Sequence, residues 1–222
     1  MSKRLLAAAG LLAFCGCYYG TMQGARTLGD GQVTIGGNLQ MPAFFSSQDR
    51  QEAENSGEDY FETYGSLDFS VGATDDIDLG VTAYGYGIGP HVKYGLLPRE
   101  SRTAVSILAG INYVMPAQVV SPRGCLAVGR LLGEDLEVYG GLEAGYGPDL
   151  GNIPEDADGE HDWDEVENTF FDGLKAGIVY TIKPYGSERE YSSFVPYSVI
   201  FEFAVPLGLE HGMVIAGIGI TY

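Results

Sequence analysis

The sequence predicts an all-β fold, specifically an antiparallel up-and-down transmembrane β-barrel of about ten strands. Three observations favour it: apolar residues alternate with polar or small ones, the polar face carries charges, and aromatic residues gather near segment ends. Successive strand side chains point to opposite faces, so this alternation indicates strands that are apolar on one face only. A membrane barrel turns that apolar face to lipid and its polar face to the lumen, whereas a soluble barrel does the reverse.

The alternation begins at residue 32 and continues to the C-terminus. In the first segment Val33, Ile35 and Leu39 share one face, with polar residues or glycine on the other. Aromatic rings near segment ends suit the two membrane interfaces, where one edge of the ring is wet. A tilted strand needs about 9–11 residues to cross a bilayer. The ten predicted strands are of that order, at 32–41, 62–73, 76–87, 90–97, 103–114, 124–132, 136–147, 171–182, 195–206 and 213–222.

The composition excludes several classes of protein. The 222 residues include 33 glycines, 30 acidic residues and 12 basic residues, for a formal net charge of −18. Nucleic-acid binding needs clustered lysine and arginine, so no nucleic-acid partner is expected. No apolar run reaches the roughly 18 residues that a membrane-spanning helix needs. Alternating strands explain the mean hydropathy of +0.01.

The N-terminus is typical of a secretory signal. Lys3 and Arg4 precede a ten-residue apolar run, which is too short to span a bilayer. The run ends in Leu-Ala-Phe-Cys-Gly-Cys, and these residues resemble the lipobox of bacterial lipoproteins. The resemblance implies a signal peptide at 1–16 and acylation of Cys17, with palmitate-type chains that anchor the protein to a membrane. Ordinary signal cleavage near this position is the alternative.

The mature chain is expected to have two parts. Residues 17–31 form a glycine-rich, lipidated tether, and residues 32–222 form the barrel. Acidic connections near 42–61 and 148–169 are expected outside the cell, because an even strand number places both chain ends on the periplasmic side. Turn residues are predicted at 74–76, 87–90, 133–135 and 208–210.

Charged residues on the polar face predict a lumenal network. A ten-stranded barrel is narrow, so inward glycines relieve crowding while inward acids and bases pair with one another. This favours a closed or very narrow barrel over a wide diffusion pore. The predicted network consists of Asp68, Asp78, His91, Lys93, Glu137, Glu143, Lys175 and Glu202.

The chain ends on Ile218, Ile220 and Tyr222, preceded at the same spacing by Val214 and Ala216. This pattern resembles the C-terminal signal of outer-membrane β-barrels of Gram-negative bacteria. The resemblance implies insertion by the barrel-assembly machinery into an outer membrane, with outer-membrane lipids as neighbours. The pattern is general and indicates no subfamily.

The sequence suggests one weak metal site. Asp156, Asp158 and Asp162 place carboxylates around the turn at Gly159, and calcium prefers such hard oxygen ligands. A solvated anionic loop is the alternative. No other cofactor is expected.

These patterns favour a non-enzymatic outer-membrane lipoprotein with a structural or surface role, or with limited passage of small solutes or lipids. One alternative is a lipid-anchored soluble periplasmic barrel that binds a hydrophobic ligand. Another is a hydrolase with a site at the barrel rim that uses His161 or His211.

Overall fold

A computed structural model describes residues 22–44, 64–84, 87–115, 117–148, 166–182, 197–207 and 213–222. These residues form ten β-strands and no helix, which confirms the predicted all-β fold. The strands are β1 Val33–Phe44, β2 Tyr64–Gly72, β3 Ile77–Tyr84, β4 Gly87–Gly95, β5 Thr103–Val114, β6 Val119–Leu131, β7 Leu136–Pro148, β8 Asn168–Thr181, β9 Ser198–Pro206 and β10 Met213–Thr221.

The strands close into a barrel in which each pairs with its neighbours along the chain. All pairs are antiparallel, and β10 returns to pair with β1. That closing seam runs from Gly36 opposite Thr221 to Phe44 opposite Met213, so no edge strand is left open. None of the described residues belongs to a helix long and apolar enough to cross a membrane.

The faces of the barrel wall are inverted relative to a soluble protein. Apolar side chains lie outside, with Leu67 65%, Val120 58% and Ile35 56% exposed. Charged side chains lie inside, with Asp78 and Glu202 each 2% exposed. An apolar outer surface around a polar interior is stable when lipid surrounds the barrel. The wall is therefore that of a transmembrane β-barrel, as the alternation predicts.

The predicted turn at 87–90 is wrong, because β4 begins at Gly87. Gly87 and Gly89 are buried strand residues that pack against β5. A Cβ atom on Gly89 would lie 1.9 Å from the backbone oxygen of Ile111. Glycine is present here because the neighbouring chain comes too close for a side chain.

The predicted start of β6 at residue 124 is also wrong, since the strand begins at Val119. Pro122 interrupts the alternation, and proline has no N–H to donate to a neighbouring strand, so it weakens the strand signal. In the structure Pro122 lies opposite Ile111 and β6 continues through it.

The two openings of the barrel differ. The terminal mouth lies where β1 begins and β10 ends, and it includes the β2–β3, β4–β5 and β6–β7 turns. The loop mouth lies at the opposite ends of the strands, near Phe44 and Pro148. Polar side chains line the lumen between the two mouths.

Candidate functional site

The charged residues of the wall converge in the lumen. The structure places all eight predicted network residues on the inward face, with seven buried and Asp68 half-buried. Lys93 Nζ lies 4.0 Å from Asp78 Oδ2, and Lys175 Nζ lies 3.4 Å from Glu202 Oε2. Much of this network, however, contacts a further segment of chain rather than other wall residues.

That segment is residues 22–31, named here the plug. It starts at Met22, next to Glu202, which is the fifth of the nine residues of β9. It ends at the β2–β3 turn, where the Asp30 N–H donates to Asp75 Oδ1 at 3.3 Å. The plug therefore runs from the middle of the lumen to the terminal mouth before β1 begins.

This position differs from the expected tether at 17–31, as far as that range is described. An extended segment leaves its backbone N–H and C=O groups without internal partners, and buried groups of this kind must be paired. The polar lumen of a barrel can supply those partners, whereas lipid cannot. The described part of the predicted tether is thus an internal element of the barrel.

Charged wall residues bind the plug through its backbone. The Leu28 N–H donates to both carboxylate oxygens of Asp78, at 3.0 and 3.1 Å. The Met22 N–H donates to Glu202 Oε1 at 3.1 Å. In the third contact the wall residue is the donor, because Lys93 Nζ donates to the Arg26 carbonyl at 2.6 Å.

Two further contacts secure the middle of the plug. The Glu137 carboxylate lies against the plug, since a Cβ atom on Gly24 would lie 2.9 Å from Glu137 Oε2. The guanidinium of Arg26 donates to carbonyls of the β4–β5 turn, including Arg99 and, at 2.9 Å, Ser101. Hydrogen bonds with an ionised partner are stronger than neutral ones, so the contacts of Arg26 stabilise the plug in this position.

Glycines on the inner wall make room for the plug. A Cβ atom on Gly72 would lie 1.8 Å from the Gly29 oxygen, and one on Gly217 would lie 2.8 Å from Met22 Sδ. A Cβ atom on Gly129 would lie 2.8 Å from the Cβ of Ala25, which is 1% exposed. The wall is thus shaped to the plug at three separate strands, β2, β6 and β10.

The plug joins β1 through a tight reversal at the terminal mouth. Gly29 and Gly31 have φ values of +94° and +70°, which glycine adopts without strain. The Gln32 N–H donates to the Gly29 carbonyl at 3.1 Å, and the Gly31 N–H donates to Gly72 at 2.9 Å. The reversal therefore anchors the plug to the start of the barrel wall.

A hydrogen-bond cluster around His91 also includes the plug. Gln23 Nε2 lies 3.2 Å from His91 Nε2 and 3.3 Å from Asp68 Oδ2. Because the amide nitrogen donates, His91 Nε2 accepts and Nδ1 carries the proton. That Nδ1 lies 3.2 Å from Thr82 Oγ1, which donates to Asp68 at 2.9 Å. Ser70 Oγ, 3.3 Å from His91 Nε2, donates to Asp68 Oδ1 at 2.6 Å.

This cluster lacks the geometry of a catalytic triad. A triad places its carboxylate on the histidine nitrogen remote from the serine. Here His91 Nδ1 faces Thr82, and Asp68 lies on the serine side, accepting the Ser70 proton. Ser70 is 5% exposed. The cluster serves as a buried structural network.

A second cluster lies on the inner face of the neighbouring strands β7, β8 and β9, near Met22. The Tyr139 hydroxyl donates to Glu202 Oε2 at 2.6 Å, and Lys175 Nζ lies 5.8 Å from the Tyr139 ring centre. Met22 also joins an apolar group that includes Cys125, which is 2% exposed. Met22, the first described residue of the plug, thus contacts both a charged cluster and an apolar one.

A cavity of about 880 Å³ remains beside the plug. It extends along β1, β2, β9 and β10, and hydroxyl groups such as those of Thr34, Ser66 and Ser198 line it. The plug therefore does not completely fill the part of the lumen next to the terminal mouth.

Other predicted site residues have different outcomes. Ile218, Ile220 and Tyr222 are 40%, 40% and 52% exposed at the end of the chain. Cys17, Asp156, Asp158, Asp162, His161 and His211 lie outside the described residues. Within the described ranges, no group of three or more His, Cys, Asp or Glu side chains could hold a metal ion.

Comparison with known proteins finds similar architecture only. No family model and no curated protein matches the chain. The NanC porin aligns with a TM-score of 0.43 and 8% identity, over 86% of this chain and 99% of that one. Ail, the attachment invasion locus protein of Yersinia pestis, aligns with a TM-score of 0.32 and 14% identity, over 88% of this chain and 100% of that one. The N-terminal barrel domain of Pseudomonas aeruginosa OprF aligns with a TM-score of 0.31 and 14% identity, over 87% of this chain and 100% of that one.

Proposed function

We propose that this protein is a small outer-membrane lipoprotein whose barrel is closed at rest, with a structural or surface role and no enzymatic activity. The plug is the observation that carries the proposal. Ten wall strands enclose a polar lumen, and the chain's own residues 22–31 occupy that lumen from its middle to the terminal mouth. A wide diffusion pore has an open aqueous lumen instead.

The inverted faces support a membrane location over a soluble one. A soluble barrel that binds a hydrophobic ligand needs an apolar interior, yet Asp78, Lys93 and Glu202 are buried in this lumen. Outer-membrane barrels are the class of protein with a polar interior and an apolar belt. In that setting the terminal mouth faces the periplasm, and the acidic connections near 42–61 and 148–169 face outward.

Migration in detergent gels tests the membrane barrel. A folded barrel resists detergent until it is boiled, so unboiled and boiled samples are expected to run at different positions. Labelling of residues 148–169 from outside intact cells tests the orientation. Identical migration would contradict the membrane barrel, and labelling only after cell lysis would contradict the orientation.

Lipid anchoring is proposed at Cys17 from its position after Gly16. Incorporation of a palmitate analogue in cells is expected for the native chain and lost in Cys17→Ser. Cys15→Ser is the matched control, because it removes a neighbouring thiol and keeps the proposed acceptor. Equal incorporation in all three proteins would contradict acylation at this residue.

The His91 cluster supports the proposal of a non-enzymatic role, because Ser70 donates its proton to a carboxylate and not to the histidine. Esterase and protease substrates supplied to the folded protein in detergent are expected to remain intact. Turnover that disappears in His161→Ala or His211→Ala would favour the rim-site hydrolase instead.

A further inference from the structure

We infer that the barrel has a second, conducting state, reached when residues 22–31 leave the wall, and that this state passes small cations. The inference rests on the proposed closed barrel and adds the solute class that the open lumen accepts. Three features carry it: the width of the lumen, the way the plug is bound, and the charge of the wall.

The lumen is wide enough to conduct once it is empty. Ten strands about 4.8 Å apart and tilted by about 40° give a backbone radius of roughly 10 Å. Side chains alone just fill an eight-stranded barrel, whereas wider barrels need a plug or hold water. In this protein the plug occupies the extra width, and the 880 Å³ cavity beside it already opens part of the path.

The plug is bound in a way that allows release. Its contacts with Asp78, Glu202 and Lys93 are hydrogen bonds to backbone groups, which water can replace when the plug leaves. No covalent bond or strand pairing holds residues 22–28 to the wall in the described part of the chain. The glycine reversal at Gly29 and Gly31 provides a hinge between plug and β1.

The emptied wall has a negative charge balance. Among the described residues, inward carboxyl groups outnumber inward bases. The departing plug removes one base, Arg26, and one acid, Asp30, so it leaves this balance unchanged. A narrow passage lined by an excess of one charge concentrates ions of the opposite sign. The carboxyl groups are Asp68, Asp78, Glu137, Glu143 and Glu202, and the bases are Lys93, Arg123 and Lys175, with Arg99 at the terminal mouth as a fourth.

Planar-bilayer recording of the full chain tests this inference with two variants that loosen the plug. Gly72→Ala places a Cβ against the Gly29 oxygen, and Asp78→Asn weakens the acceptor of the Leu28 N–H. The control for the first is Gly140→Ala on the outward face of β7, where the nearest atom is 3.4 Å away. The control for the second is Asp76→Asn, an exposed carboxyl in the same turn region.

Both plug variants are expected to raise the open fraction about tenfold or more, since each weakens a hydrogen bond to a charged group. The reversal potential in a KCl gradient should indicate preference for potassium in both variants. Because Asp78→Asn also removes one wall carboxylate, its preference and its unit conductance should be lower than those of Gly72→Ala. The controls should behave as the native protein does. Heat-modifiable migration of each variant checks that the barrel has folded.

The outcomes separate this inference from the proposed function. Folded plug variants that stay silent would overturn the conducting state and leave the closed barrel intact. Anion preference would overturn the charge argument. A steady, large current from the native protein would overturn the closed barrel itself.

Discussion

Gly72→Ala is expected to release the plug without opening the barrel wall. The added Cβ would lie 1.8 Å from the Gly29 oxygen and 2.6 Å from its carbonyl carbon. Ordinary contact begins at 3.4 Å, so the Gly29 carbonyl must retreat by roughly 1.6 Å. Gly72 itself is held by strand pairing with Asp78 and by its N–H bond to Gln32. The plug is therefore the partner that moves.

The retreat weakens the neighbouring anchor of the plug. The Leu28 N–H lies 3.0 and 3.1 Å from the Asp78 oxygens, so a shift of that size takes it beyond hydrogen-bond range. A hydrogen bond to a charged group contributes about 1.5–3 kcal/mol. The population with a displaced plug should thus rise by about ten- to a hundredfold.

Trypsin digestion of the folded protein in detergent measures this population. Arg26 is the only lysine or arginine between residues 5 and 49, so cleavage after it gives a distinct fragment that mass spectrometry identifies. Cleavage should be slow in the native protein and in Gly140→Ala, and at least about tenfold faster in Gly72→Ala. Equal rates in all three proteins, with the barrel folded, would refute the position of the plug.

Three further predictions concern other parts of the molecule. Tyr139→Phe removes the hydroxyl that donates to Glu202 at 2.6 Å and should lower the free energy of unfolding by about 1.5–3 kcal/mol; urea titration checks this against Tyr146→Phe on the outer surface, and equal losses would contradict it. Tyr222→Ala should reduce the amount of folded protein in the outer membrane, because it removes the aromatic end of the C-terminal pattern; unchanged amounts in membrane fractions would show that the pattern does not act as an insertion signal. Arg26→Gln should loosen the plug less than Asp78→Asn does, because the guanidinium binds carbonyls at the rim while Asp78 accepts two bonds deeper in the lumen. Bilayer current measures this effect, since Arg26→Gln removes the trypsin site. A larger open fraction in Arg26→Gln than in Asp78→Asn would contradict the prediction.

Strand positions follow from the sequence where one face is apolar. In β5 the alternation is unbroken, and the predicted range 103–114 agrees with the observed Thr103–Val114. The alternation breaks at two other positions. At Gly89 the backbone of β5 comes too close for a side chain, and at Pro122 the strand continues without one backbone N–H. Sequence patterning does not record such backbone contacts.

The inward residues follow from the same alternation, but their partners do not. Asp78 and Glu202 are predicted to belong to a network of paired inward acids and bases, yet each also binds a backbone N–H of the plug. Residues 22–31 have no strand or helix period, and their contacts use main-chain atoms that are common to every residue. The one sequence feature that relates to the plug is the set of inward glycines, which includes Gly72, Gly129 and Gly217. Barrel curvature alone also explains glycine at inward positions, so these residues did not predict the plug.

The position of the plug is tested most directly by amide hydrogen exchange in the folded, membrane-extracted protein. The Met22 and Leu28 N–H groups donate to buried carboxylates, so both should exchange as slowly as amides of the barrel strands. Exchange of both amides at the rate of an exposed chain, with the strands still protected, would contradict a lumen closed by residues 22–31.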